Sequence, residues 1–304
     1  VTFVPLSGTI TAVTIRDSTA LELQALTTLE GLTVTAGGAV TQSGTLVIPG
    51  TTTISAVNGS SVKQDVTLGD SSNNFGTLAI TGADVTARDT NAIVLGASTV
   101  SGTYAVTAGD AVTQTGALAI TGATTISASG HNVTLDTATN NFQGAVGITG
   151  ATVAVVDANA IVLGASVVSG TYTVTATAGG GITNTGVLAI DNGATFKVDG
   201  GQSISLNQAN TFSSAVTFVP LSGTITAVTI RDSNTLDLKA LTTTGGLTVT
   251  AGGAVTNSGT LVIPGTTTIS ASGHAVTLGD SSNNFGTTAI TGANVAITDT
   301  NAII

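Results

Sequence analysis

The chain contains no cysteine, no methionine and no tryptophan. Without cysteine it can build neither a disulfide framework nor a thiolate metal site. Charged residues are 7% of the 304, far below the roughly 25% of an ordinary globular protein. Only six bases occur, Arg16, Lys63, Arg88, Lys197, Arg231 and Lys239. They are scattered singly, so the clustered cations that phosphate binding needs are missing and nucleic acid is not an expected partner. Four prolines and no three-residue glycine period exclude collagen. No apolar run approaches the ~18 residues of a membrane-spanning helix.

The chain does have 39 glycines, 41% hydrophobic residues, a mean hydropathy of +0.49 and a net charge of −10. This is the opposite of the polar, highly charged composition of a disordered segment. Its main feature is repetition. VTFVPLSGTITAVTIRDS begins at Val1 and again at Val216; LTVTAGGAVT begins at Leu32 and Leu247. After Ala56 the first copy carries five extra residues, and LGDSSNNFG then starts at Leu68 and Leu278.

A shorter period lies inside the long one. Phe75, Phe142, Phe212 and Phe285 each end an Asn-x-Phe signature. Asp17, Asp89, Asp157, Asp232 and Asp299 recur with an Asn two residues later, except that Thr19 follows Asp17. A third mark is Val/Ile-Thr-amide-Ser/Thr-Gly, with Gln42, Gln114, Asn184 and Asn257 at the amide. These marks divide the chain into units of about 1–72, 73–139, 140–209, 210–282 and a partial 283–304. The chain opens and closes inside a unit, so it reads as an excerpt of a longer repeat protein.

Local pattern points to strands throughout. In Leu32-Thr33-Val34-Thr35 and Tyr172-Thr173-Val174-Thr175 apolar and hydroxyl residues alternate with period two. Short runs of this kind are separated by Gly, Asn, Asp and Ser, which supply turns. A sandwich closes its own core and leans on large aromatics, yet aromatics are 3% here. A solenoid buries its inward Val, Ile, Leu and Ala against the rungs above and below. The expected fold is therefore all-β: residues 1–304 as a single continuous right-handed parallel β-helix, with about three rungs of ~22–24 residues per repeat.

The stretches NNFGTLAITGADVTARDTNAIVLGAS and GTYAVTAGDAVTQTGALAITGATTISASGHNVTL resemble the central repeats of filamentous-haemagglutinin-like adhesins. These are large bacterial exoproteins exported by two-partner secretion. The resemblance implies a secreted right-handed β-helical shaft on a Gram-negative cell surface and names no receptor.

Candidate sites are few. The recurring aspartates could bind Ca²⁺, but one per three rungs places carboxylates ~14 Å apart, too far to share an ion. Asx turns at corners are the expected role of Asp17, Asp89, Asp157, Asp232 and Asp299. Phe75, Phe142, Phe212 and Phe285 are expected as a core aromatic column. Arg16-Asp17, Arg88-Asp89 and Arg231-Asp232 are sequence neighbours, which a strand sends to opposite faces. His131 and His274 sit in equivalent Ser-Gly-His loops without a partner for metal or base chemistry. No catalytic residue, cofactor or metal is expected.

The leading expectation is a structural shaft of an extracellular adhesin or filament, mediating attachment of cells to surfaces or to one another in a biofilm. Its expected partners are other copies of itself, neighbouring cells or glycans. The main alternative is a glycan- or self-binding module acting through outward Thr/Ser/Asn ladders. Ice binding and a polysaccharide-active enzyme are minor alternatives. Against ice binding stands the uneven sequence spacing of Thr33, Thr41, Thr53 and Thr67.

Overall fold

The structure is a computed structural model and describes Val1, Phe3, residues 9–301 and Ile303. Residues 2 and 4–8 of the first repeated string lie outside the described residues. All 34 named elements are β-strands and the strands stack in parallel, so the expected all-β solenoid is the observed fold. The chain comprises two compact units, Val1–Gly150 and Ala151–Ile304.

The first unit has three sides, each a stack of parallel strands. On the first, Val13–Asp17 pairs with Leu32–Ala36, then with residues 52–56 and 78–82 in succession. That side continues through Ser98–Val100 and Leu118–Ile120 to Asn141–Phe142. The second side runs from Leu21–Leu23 through Val40–Gln42, Val66–Leu68, Val85–Asp89, Tyr104–Ala108 and Thr124–Ser127 to Val146–Gly150. The third begins at Leu26–Thr27 and passes through residues 46–48 and 74–77 to Ile93–Leu95, Val112–Gln114 and Val133–Leu135. Consecutive strands along the chain lie on consecutive sides, so one rung visits all three.

The core follows from the alternation. Leu32–Ala36 is buried at Leu32, Val34 and Ala36 and exposed at Thr33 and Thr35. Ile15, Val34, Ile54 and Ile80 stand in register, and the last three are 1% exposed. Each inward side chain is floored and roofed by its neighbours, worth ~1.5–3 kcal/mol per large aliphatic group.

Rung length is uneven where a regular ~22–24 was expected. Register partners are 19 residues apart for Leu21 and Val40, 26 for Val40 and Val66, and 22 for Thr124 and Val146. Corners absorb the differences while strands keep their register. The longest rung carries the five-residue insertion, where Asn58 Oδ1 accepts the N–H groups of Ser60 and Val62 at 3.0 and 2.9 Å and Ser61 sits at φ 62°.

The repeat is not a whole number of rungs. Ten strand limbs separate the opening strand Val13–Asp17 from its counterpart Val85–Asp89: 13–17, 21–23, 26–27, 32–36, 40–42, 46–48, 52–56, 66–68, 74–77 and 78–82. With three limbs per rung, the tenth leaves the next repeat one side further on. Val85–Asp89 accordingly lies on the second side, above Val66–Leu68.

The second unit shows the same step. Val153–Asp157 begins the stack of Tyr172–Ala176, Ala194–Val198 and Val216–Pro220. The next opening strand, Val228–Asp232, lies instead on the stack of Ile161–Leu163, Ile182–Asn184 and residues 204–206. This unit also holds an aromatic cluster. Phe196 meets Tyr172 and Phe212 edge-on, each at 6.2 Å, and stacks on Phe218 at 6.0 Å.

Candidate functional site

Polar side chains inside the coil form one device per repeat. In the first repeat Gln42 Nε2 donates to Asn73 Oδ1 at 2.8 Å while Asn73 Nδ2 donates back to Gln42 Oε1 at 2.8 Å. Asn73 Oδ1 also accepts the backbone N–H of Leu46 at 2.9 Å. Gln114 and Asn140 repeat this pairing at 2.8 and 2.9 Å. Asn184 donates to Asn210, and Asn257 to Asn283. All four partner asparagines are 0% exposed. A buried amide is tolerated only when its hydrogen bonds are made, and here the neighbouring rung makes them. The recurring amide was visible in the sequence, but its partner was not. The signal was the Asn that opens each Asn-x-Phe signature.

The aspartates complete the device. Asp89 Oδ2 accepts the N–H of Phe75 at 2.7 Å, and its Oδ1 accepts the N–H of Asn91 at 2.9 Å. The Asn73 carbonyl in turn accepts the N–H of Thr90 at 2.8 Å. The Asn-x-Phe and Asp-x-Asn signatures, read separately in the sequence, are therefore two halves of one contact between rungs. Phe285 and Asn301 donate to Asp299 in the same way, whereas at Asp232 the N–H groups of Phe212 and Asn234 share Oδ1. Asp157 caps the N–H of Asn159 at 2.8 Å and is fully buried. Asp17 caps Thr19 instead, through both its N–H and its hydroxyl.

Environment separates these carboxyls electrically. Burial pushes Asp89 and Asp232 above the usual carboxylate range, against the opposing pull of the backbone N–H groups they accept. Asp17 is held below it, chiefly by the Thr19 N–H and hydroxyl.

Within the first unit the aspartates and phenylalanines form no line along the coil, because the second repeat steps one side further. Asp17 closes a strand of the first side and Asp89 one of the second. Phe75 lies on the third side and Phe142 on the first. Phe75, Phe142, Phe212 and Phe285 are all buried.

The third sequence mark has a steric reason. A Cβ on Gly44, Gly116, Gly186 or Gly259 would collide with the backbone N of Ala25, Ala97, Ala165 or Ala240 in the rung below. The carbonyl of each of these glycines accepts the amide side chain two residues before it. Gly and amide thus lock each corner together.

On the outer surface hydroxyls line up despite their uneven sequence spacing. Thr14, Thr33 and Thr53 are in register on one side, and Thr41, Thr67 and Thr86 on the next. Rungs differ in length, so uneven spacing in the sequence still gives aligned hydroxyls. His131 Nδ1 lies 2.9 Å from Asp110 Oδ1, both exposed. Lys239 donates to Ser258 Oγ at 2.9 Å, and Asp237 Oδ2 accepts that hydroxyl at 2.5 Å, also in the open. A shallow depression in the second unit, lined by Phe212, Ser213, Ser233, Asn234, Thr235, Gly252 and Gly253, has no ionisable side chain in its wall. Among the described residues no three His, Cys, Asp or Glu side chains gather as metal ligands, and no helix is long and apolar enough to cross a membrane.

Compared with known proteins, the chain matches the model of a family described as repeats of unknown function (DUF5649) four times, at residues 10–81, 82–149, 150–219 and 225–292. The matches give the repeat a different starting point from the units read in the sequence, a few residues before each opening strand. No curated protein and no solved structure matches the chain.

Proposed function

The chain belongs to the DUF5649 repeat family, and from its architecture we infer that it serves as a structural shaft of a secreted adhesin or extracellular filament. In this reading its place is a Gram-negative cell surface. Its work is mechanical: it holds a binding domain away from the cell, or builds a fibre with other copies, and it performs no catalysis. The observation that carries the reading is that the recurring buried polar side chains and the corner glycines join one rung to the next. The amide pairs, the aspartate clamps and the corner glycines all serve that joint. A spacer needs length and regularity, and the near-identity of residues 1–56 and 216–271 supplies both.

Electron microscopy of the full-length secreted product tests this. The shaft reading expects filaments or stalks whose length scales with repeat number. Compact particles of unchanged length after deletion of repeats would overturn it.

A further inference from the structure

Three of the four repeats carry the same outward plate. In the first, Arg16, Thr35, Ser55 and Thr81 stand in register. In the second the line is Arg88, Thr107, Ser127 and Thr149. In the fourth it is Arg231, Thr250, Ser270 and Thr291. A companion line runs beside each, such as Thr14, Thr33, Thr53 and Ala79. The others are Thr86, Ala105, Thr125, Gly147 and Thr229, Thr248, Thr268, Ala289. All these positions are exposed or half-exposed.

The fold does not require the plate. In the third repeat the same strands form with Val156, Thr175, Lys197 and Val219 in the corresponding places. The arginines are not occupied in holding the coil either. Among the described residues none of the three guanidinium groups takes part in a hydrogen bond or ion pair. The aspartate that follows each one is bonded to backbone N–H groups. Charge is distributed unevenly as well. The protein carries 16 acids and a net charge of −10, yet none of the plate positions named above is acidic.

We propose that each plate binds a stretch of a linear polysaccharide bearing carboxylates. The guanidinium offers a forked pair of N–H donors that suits a carboxylate. The hydroxyls repeat at ~4.8 Å, the strand spacing, close to the length of one sugar ring in an extended chain. Two lines ~7 Å apart give a strip about as wide as such a chain. The proposal rests on the surface-attachment reading for its setting and deepens it by naming the ligand class. In the first unit the two plates lie on different sides, so one coil engages two separate polysaccharide strands and cross-links them.

Calorimetric titration of the whole chain with hexagalacturonic acid tests the proposal, with cellohexaose as the neutral control. The expected result is saturable binding at three sites, weakened by salt, with cellohexaose much weaker. Replacing Arg16, Arg88 and Arg231 together by Gln lowers affinity by about tenfold or more, the scale of a lost charge-assisted hydrogen bond. The single change Arg88→Gln leaves two sites. Replacing Lys63, Lys197 and Lys239 by Gln leaves binding unchanged. Absence of saturable binding, parental affinity in the triple arginine variant with unaltered circular dichroism, or equal binding of cellohexaose overturns the proposal. Any of these leaves the shaft reading standing, since that is decided by filament length.

Discussion

The N–H of Phe75 donates to Asp89 Oδ2 at 2.7 Å, joining a buried aromatic of one repeat to the first strand of the next. The bond crosses the boundary between the family matches at 10–81 and 82–149. The carboxylate therefore acts as a joint between repeats, and its charge is part of the joint's chemistry.

That charge sets a pH dependence. Asp89 and Asp232 hold their protons more tightly in the folded chain than the ordinary value of 3.8, because burial disfavours the charged form. Their contribution is fully present below that value and is lost as pH rises through the higher folded value. Asp17 and Asp84, lowered by hydrogen bonds from Thr19 and Thr103, act in the opposite sense. Their contribution is present above 3.8 and is lost as acid titrates them. Urea unfolding midpoints should thus be highest in mild acid and fall toward neutrality, and Asp89→Asn with Asp232→Asn should flatten that fall. Midpoints that climb steadily from pH 4 to 7 would contradict this account.

Asn73→Ala should be among the most damaging single changes. It strands the buried Leu46 N–H and the Oε1 of the half-buried Gln42, whose amide N–H keeps the Gly44 carbonyl. The cost of such unpaired buried groups is ~3 kcal/mol. Hydrogen exchange should show the loss concentrated in the rungs around residues 40–48. A variant with parental protection there would show that the amide pair is dispensable.

Thr52→Val should stabilise the chain. The Thr52 hydroxyl is buried without a hydrogen-bond partner, and so are those of Thr124 and Thr267 at the matching positions. The third repeat has Ala194 there, equally buried. Valine keeps the shape and removes a polar group that finds no partner, a gain of ~1 kcal/mol. Thermal denaturation of the single variant, and of the triple Val variant, would show a rising midpoint; a falling one would mean that the hydroxyls are bonded in solution.

Much of this was legible in the sequence. Alternating runs such as Leu32–Thr35, together with Gly- and Asn-rich breaks, were enough to give parallel rungs and an inward Phe75. The recurring Asp and amide positions were legible as marks, although their meaning was not. Asn73 and Gln42 are 31 residues apart, and only the closure of a full rung brings them together. Rung length hid the rest. Because corners vary, as at the lengthened 57–65 corner, Thr33 and Thr41 look irregularly placed in the sequence while belonging to different, well-aligned sides. The same variation disguised the fact that ten limbs do not divide evenly into rungs of three.

That remainder of one limb bears on how such genes evolve. Any gain or loss of a whole unit carries that remainder with it. Losing a single unit turns everything displayed beyond the junction through a third of a revolution, whereas losing three restores the original orientation. Selection on which neighbour a given surface meets would then favour length changes in triplets.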